Sequence, residues 1–204
     1  MLRITATTGP VPVSLAEAKA QLPASADDTT VTSLILAATL AAESETQRFF
    51  MKRTAEWVLP CWRRPLELPI APVDKSAVLS IKYVDWTQAQ VTLDPATYVV
   101  QTRGPTVRIM PKLGLVWPLV YLTSAEPIVI AFNAGYADAA SVPENVKAAI
   151  KLTVRHLYSL GSQNPFLRRD SVIGVGEKHY QFDQFSAQAL PQAASALLWS
   201  ERWE

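Results

Sequence analysis

Cys61 is the only cysteine in the chain, and His156 and His179 are the only two imidazoles that could make it a thiolate nucleophile. Pro60 and Trp62 flank it, and no helix N-terminus is expected there to lower its pKa, so a small packed side chain is the plainer reading. His156 sits between Arg155 and Leu157 in a helical pattern, where a packed or surface histidine is the ordinary role. His179 and Asp183 are four residues apart, as metal ligands on a helix are, yet two ligands do not make a site. Gly174-Val-Gly176 has neither a preceding strand nor a following Gly-Lys-Ser/Thr, so it reads as a turn rather than a phosphate loop. Glu43 and Glu45 are two apart on a helix and point in different directions; both are expected in solvent. No Gly-x-Ser-x-Gly occurs. The residues predict no catalytic centre, no metal site and no cofactor.

Two groups suit contact better than catalysis. Lys147, Lys151 and Arg155 recur at i, i+4 and i+8, a basic stripe that is either a solvated helix face or a contact for an acidic partner surface or a passing phosphate backbone. Phe166, Leu167, Arg168 and Arg169, followed by Tyr180 and Phe182, mix aromatic and arginine side chains as interfaces do. The segment that carries them is too aromatic for a floppy linker. It reads either as an arm that orders against a partner or as a stretch that folds back on its own domain.

The elements that must position these groups follow from periodicity and punctuation. Ser14 and Glu17 form a capping box before a short helix that Pro23 stops, and Asp27 and Asp28 can cap the next. Val31, Leu34, Ile35, Ala38, Ala42 and Phe49 then recur at helical spacing over about five to six turns, ending near Met51 to Arg53. Nine of the fifteen prolines fall between Pro60 and Pro127, a density that no helix tolerates. Strands are expected over 54–59, 77–85, 97–101, 106–110 and 127–132, with turns at 87–90 and at Gly104-Pro105, making a small antiparallel sheet or open barrel. Trp57, Trp62, Trp86 and Trp117 would supply its large apolar area. In Pro127-Ile-Val-Ile-Ala-Phe-Asn-Ala-Gly-Tyr136 the strand hands over to a helix. Ser141 and Glu144 have capping-box spacing, Val146, Ala149, Ile150, Val154, Leu157 and Leu160 share one face, and Gly161 is placed to end it. That helix should pack on the one from Val31 to Phe49. Pro191 opens a last helix carrying Ala194, Leu197, Leu198 and Trp199.

The fold class is therefore α+β: a helical bundle from the N- and C-terminal segments with an inserted small antiparallel β-sheet and a C-terminal arm. One domain is expected over 1–204, helical at 14–53 and 142–161, with the β insertion at 54–135, the arm at 162–190 and a terminal helix at 191–203. A 204-residue chain with 49% hydrophobic residues can bury one good-sized core. A net charge of +1 is too weak a field for a dedicated nucleic-acid or membrane-surface binder. One cysteine forms no intrachain disulfide and fits a reducing compartment. The N-terminus lacks a basic start and an apolar run of the secretory kind, and the apolar stretch from Leu34 to Ala42 stops at Glu43, short of a membrane span.

The order of these pieces resembles the phage head-tail connector (adaptor) proteins of the HK97 gp6-like group, most closely the phiE125 gp8 subfamily. The residues that carry the likeness are Pro12-Val-Ser-Leu-Ala-Glu-Ala-Lys19 with Leu22, then Asp27-Asp28 and Leu34-Ile35-x-x-Ala38. Leu68-Pro69, Pro72-Val73, Ile81-Lys-Tyr83-x-Asp85 and Tyr98 resemble the sheet, and Pro111-x-x-Gly114-x-x-Trp117-Pro118 resembles a G-x-x-W-P element. Phe132-Asn-Ala-Gly-Tyr136 with Val142-Pro-Glu144 and Ala148-Ala-Ile150 is similar to the family's most recognisable segment, and Pro191, Leu197-Leu198 and Arg202 to its close. The chain departs from the pattern in the length of 161–188 and in lacking a hairpin glycine at 87–90.

The resemblance implies a non-enzymatic virion protein that forms a ring of twelve copies beneath the portal protein of a tailed phage or gene-transfer particle. That ring would bridge the portal to the tail or stopper protein and let genomic DNA pass through its lumen without sequence recognition. It implies no membrane contact, a place at the head-tail interface and assembly in the host cytoplasm. Two other classes remain open from the residues alone. A small cysteine-dependent hydrolase would need Cys61 near a histidine in a pocket, and a monomeric β-sheet ligand-binding module would need exposed, coplanar tryptophans.

Overall fold

The computed structural model describes residues 1–162, 169–172, 176–179 and 190–202, with the side chains of 162, 169–172 and 176–179 left out. The chain divides into two compact units, Met1–Pro10 with Gln47–Ser141, and Val11–Thr46 with Val142–Arg202. Helices make the second unit, and antiparallel sheets make the first.

In the helical unit, α1 (Leu15–Lys19) begins with both halves of the expected capping box: the Glu17 N–H donates to Ser14 Oγ at 3.3 Å and the Ser14 N–H to Glu17 Oε2 at 2.8 Å. α2 (Asp28–Thr46) is capped by Asp27, whose carboxylate accepts from the Thr30 N–H at 3.0 Å. It buries Val31, Ile35, Ala38 and Ala42, as the spacing predicts. It also buries Thr39 and Thr46, whose hydroxyls donate to the carbonyls of Ile35 and Ala42 four residues back, each at 2.8 Å. That local bond is what lets a threonine sit inside a helix interface. The helix stops earlier than its apolar period suggests. Gln47 takes a left-handed φ of 56°, and Phe49, Phe50 and Met51 are buried as part of the β unit.

α3 (Glu144–Ser162) packs on α1, α2 and α4 (Gln192–Leu198) through Val146, Ala149, Ile150 and Val154. Its start and stop differ from expectation. Ser141 belongs to a preceding 3-10 turn, the helix begins at Glu144, and the Glu144 carboxylate bonds Lys147 rather than closing a capping box. Gly161 lies within the last turn rather than beyond it. Two further strands, β9 (Arg169–Val172) and β10 (Gly176–His179), pair antiparallel, with Val172 opposite Gly176 and Arg169 opposite His179.

The β unit contains two antiparallel sheets. The larger has the order β1 (Leu2–Thr7), β2 (Arg53–Leu59), β8 (Ile128–Ala134), β4 (Val78–Val84), β5 (Gln90–Thr92). The smaller is β3 (Leu66–Glu67), β7 (Thr106–Pro111), β6 (Tyr98–Arg103). β8 is central: Phe132 faces Ala55 of β2, and Ile130 faces Trp57 of β2 and Ile81 of β4. Ile128, Ile130 and Phe132 join Leu66, Val107 and Ile109 of the smaller sheet in one apolar cluster. Full burial of each such side chain contributes about 1.5–3 kcal/mol. All five expected strands are present. β1 was not expected, because as an edge strand it is exposed at nearly every position and carries no inward face for the eye to find.

At the end of β8, Gly135 has φ +98°, and a Cβ there would stand 2.2 Å from the Met51 carbonyl oxygen. Its N–H donates to the Pro72 carbonyl at 3.0 Å. Only glycine allows both the turn and that approach. The 85–89 turn closes without glycine because Asp85 Oδ1 accepts from the N–H groups of Thr87 and Ala89 while Gln88 takes a φ of 67°.

Candidate functional site

Cys61 is exposed in the bend after β2, in the β unit, and His156 is half-buried on α3, in the helical unit. The His179 side chain and Asp183 lie outside the described residues, as does Gly174, whereas Gly176 opens β10 instead of a turn. An open depression of about 510 Å³ at the end of β8 is lined by Lys52, Asp74, Asn133, Tyr136 and Ser141 among others, with no histidine, cysteine or carboxylate pair. Among the described residues no three His, Cys, Asp or Glu side chains gather where a metal could sit.

The two glutamates of α2 are not in solvent. Glu43 is buried, against the expectation that it would keep off the packed face. Glu45 is half-buried and tied to the chain's end: its carboxylate takes an ion pair from Arg202 and a hydrogen bond from Ser195 Oγ at 3.1 Å. Those two contacts, Arg202 first, hold its carboxyl below the usual carboxylate range. Asn145 reinforces the same corner by donating to the Leu197 carbonyl at 3.3 Å. No local sequence signal joins Glu45 to Arg202, since the pairing exists only once α2 and α4 are packed.

The basic stripe is graded. Lys147 is only 8% exposed, and its ammonium pairs with Glu144 at 2.8 Å. Lys151 is half-buried and Arg155 exposed. The Glu17 carboxyl on α1 is lowered chiefly by its Ser14 hydrogen bonds, with Lys151 and Lys147 adding to the effect, so both lysines lie within the field of a carboxylate. Arg155 is thus the stripe's most exposed cation. Of the docking-arm residues, Phe166, Leu167, Arg168, Tyr180 and Phe182 lie outside the described residues, and Arg169 is described only as backbone in β9.

What the residues alone did not resolve is the role of the connection from β7 to β8. Trp117 and Trp62 stack with centroids 4.7 Å apart and planes 11° from parallel, and Tyr83 packs at 6.2 Å on Trp62. Each indole is also pinned by its N–H: Trp62 Nε1 donates to the Pro118 carbonyl at 2.8 Å and Trp117 Nε1 to the Arg63 carbonyl at 3.3 Å. This reciprocal clasp fixes the middle of the connection against the chain leaving β2. Around it Leu113, Val116, Leu119 and Leu122 stand in solvent, with Leu119 85% exposed. Trp86, expected in the sheet's apolar area, is 78% exposed, whereas Trp57, Trp62 and Trp117 do pack on the core. The G-x-x-W-P spacing and the run of leucines were both legible as residues. Their separation into a half-buried, hydrogen-bonded anchor and an exposed rim was not.

No protein-family model and no curated protein matches the sequence. Solved structures do match, over the whole of this chain and 96% of theirs. One is a chain in the neck of an empty gene transfer agent (GTA) particle computed with C6 symmetry, with a TM-score of 0.70 and 25% identity. Another is in the virion of a native GTA particle, at 0.70 and 22%, and a third in the neck of a native GTA particle computed with C12 symmetry, at 0.67 and 22%. The chain therefore shares its entire fold with proteins built into GTA necks and virions.

Proposed function

We propose that this chain is a structural head-tail connector of a tailed phage or gene-transfer particle, a member of the HK97 gp6-like group and of its phiE125 gp8 subfamily. Copies of it form a ring, of twelve subunits, between the portal protein and the tail or stopper protein, and the genome passes through the lumen without being read. The observation that carries the proposal is the end-to-end structural match to chains in GTA necks computed with C6 and C12 symmetry. The near-neutral charge agrees with it, because a strongly basic lumen would retain DNA that has to slide. No enzymatic step is assigned to it. Among the described residues no helix is long and apolar enough to cross a membrane, and the reading places the protein in the virion after assembly in the host cytoplasm.

Negative-stain imaging and native mass measurement of the purified chain, alone and mixed with its portal protein, test this. Twelvefold rings, free or on the portal, are expected; a chain that stays monomeric and ignores the portal would refute it. Lys151 and Arg155 are proposed to face DNA or an acidic partner, with Lys147 held back by Glu144. Lys151→Gln with Arg155→Gln should then reduce DNA delivery, and normal delivery would return both to a solvated face.

A further inference from the structure

The β7–β8 connection presents Leu113, Val116, Leu119 and Leu122 to solvent on a rigid base, the Trp62–Trp117 clasp. A monomer rarely leaves such a cluster uncovered, and side chains mounted on a fixed base lose little further freedom on docking. Arg63, Arg64 and Lys112 border it, all exposed.

A second uncovered surface lies on the helical unit. Between Thr29 and Ser44 no charged side chain of α2 reaches solvent: the exposed positions are threonine, serine and alanine around Leu36 and Leu40, each nearly half exposed, and the one charged residue of the stretch, Glu43, is buried. An outward helix face is normally its charged face. This one spans about 24 Å at the usual rise, and at its N-terminal end stand two exposed carboxylates, Asp27, which caps the helix, and Asp28, which pairs with Lys19.

We propose that these two surfaces are the halves of one contact between copies: the loop of one subunit seats on the α2 face of the next, with Arg63, Arg64 and Lys112 toward the Asp27–Asp28 end. A second copy is favoured over another protein for two reasons. Head-to-tail rings need two different faces on every subunit that complement each other, and the chain has an apolar loop with a basic border and an apolar helix face whose N-terminal end carries Asp27 and the Lys19-paired Asp28. The structures that share its fold also include necks computed with C6 and C12 symmetry, arrangements in which each copy has identical neighbours. The inference rests on the ring reading above and names the surfaces that close it.

The test uses the full chain with Cys61→Ser, so that no native thiol competes. One pool carries Val116→Cys and another Leu40→Cys; they are mixed at high concentration with a short bis-maleimide and resolved by mass. The expected result is a product of two chains, one from each pool, that neither pool forms alone and that a Gln101→Cys pool does not form with either. A chain carrying both substitutions should give a ladder of multimers. Pairs formed only within a pool would mean a two-fold contact, and no product above the control would mean that these faces meet a different protein; either overturns the proposal. Rings without the cross-link keep the connector reading and remove this contact. A ladder without rings or portal attachment keeps the contact and removes the connector reading.

Discussion

Glu45 shows how far a side chain's role can sit from its sequence context. Read along α2 it is one of two glutamates expected in water; in the structure it holds Arg202 and Ser195 of the closing segment. Its carboxyl and that of Glu17 are lowered, Glu45 by Arg202 and then Ser195, Glu17 by Ser14. A lowered folded pKa adds stability that is complete above the unfolded value of about 4.3 and disappears as pH falls through the folded value. The urea midpoint should therefore hold down to about pH 5 and fall as pH is taken lower, through about 4 and 3. Glu45→Gln should cost about 1 kcal/mol at pH 7, the worth of a half-exposed ion pair with its hydrogen bond, and should flatten part of that acid slope. An unchanged slope would show that the pair contributes nothing. At the clasp, Trp117→Ala removes a stacked indole and its bond to Arg63, with an expected loss of about 2–3 kcal/mol and of the near-ultraviolet circular dichroism of the stack. Trp117→Phe keeps a ring and should recover part of the stability.

Elements were legible where a buried face repeats. The cores of α2 and α3 and of β2, β4, β7 and β8 follow from periodicity because one side of each is inside, and the edge strand β6 was legible because Tyr98 and Val100 alternate half-buried against the same cluster. Other edges and ends were not: β1 has no buried face, β3 has two residues, and α2 ends at Thr46 because the apolar Phe49-Phe50-Met51 belongs to a different unit. Periodicity records that a residue is buried, not in which core. The β8 handover depends on a single backbone position. Gly135→Ala would set a methyl group 2.2 Å from the Met51 oxygen at a φ of +98°, so a loss of at least about 3 kcal/mol is expected from overpacking and strain combined. Thermal unfolding measures it directly, and a melting temperature within a degree or two of the parent would show that the segment relaxes freely. Gly104→Ala, at a φ of +56° with nothing within 4 Å, should cost much less.

At the scale of the whole molecule the two units have different chemistry. The helical unit packs alanines with Val31, Ile35, Ile150 and Leu198, the β unit packs larger aliphatic and aromatic side chains such as Phe132, Leu66 and Trp62, and each leaves apolar side chains in solvent. For a connector, an arm at 162–190 is proposed to reach the portal or the adjoining ring. Deleting it should leave the far-ultraviolet circular dichroism of the remaining helices and sheets intact and abolish attachment to the portal. Particles that assemble normally with the deleted chain would remove the arm from the mechanism.

The sequence by itself determined the α+β class, the helical segments flanking a β-rich middle, the glycine-dependent handover after Phe132 and the lack of any motif gathering a nucleophile with its base. These are local properties, set by spacing, caps and backbone conformation within a few residues. Only the tertiary structure decided that Lys147 is buried, that Glu45 belongs to Arg202, and that Trp117 anchors a loop whose neighbouring leucines stay in water. Each of those depends on what stands opposite a side chain once distant segments pack. A hydrophobic residue reads the same in a sequence whether its partner lies in its own core or on another copy of the chain.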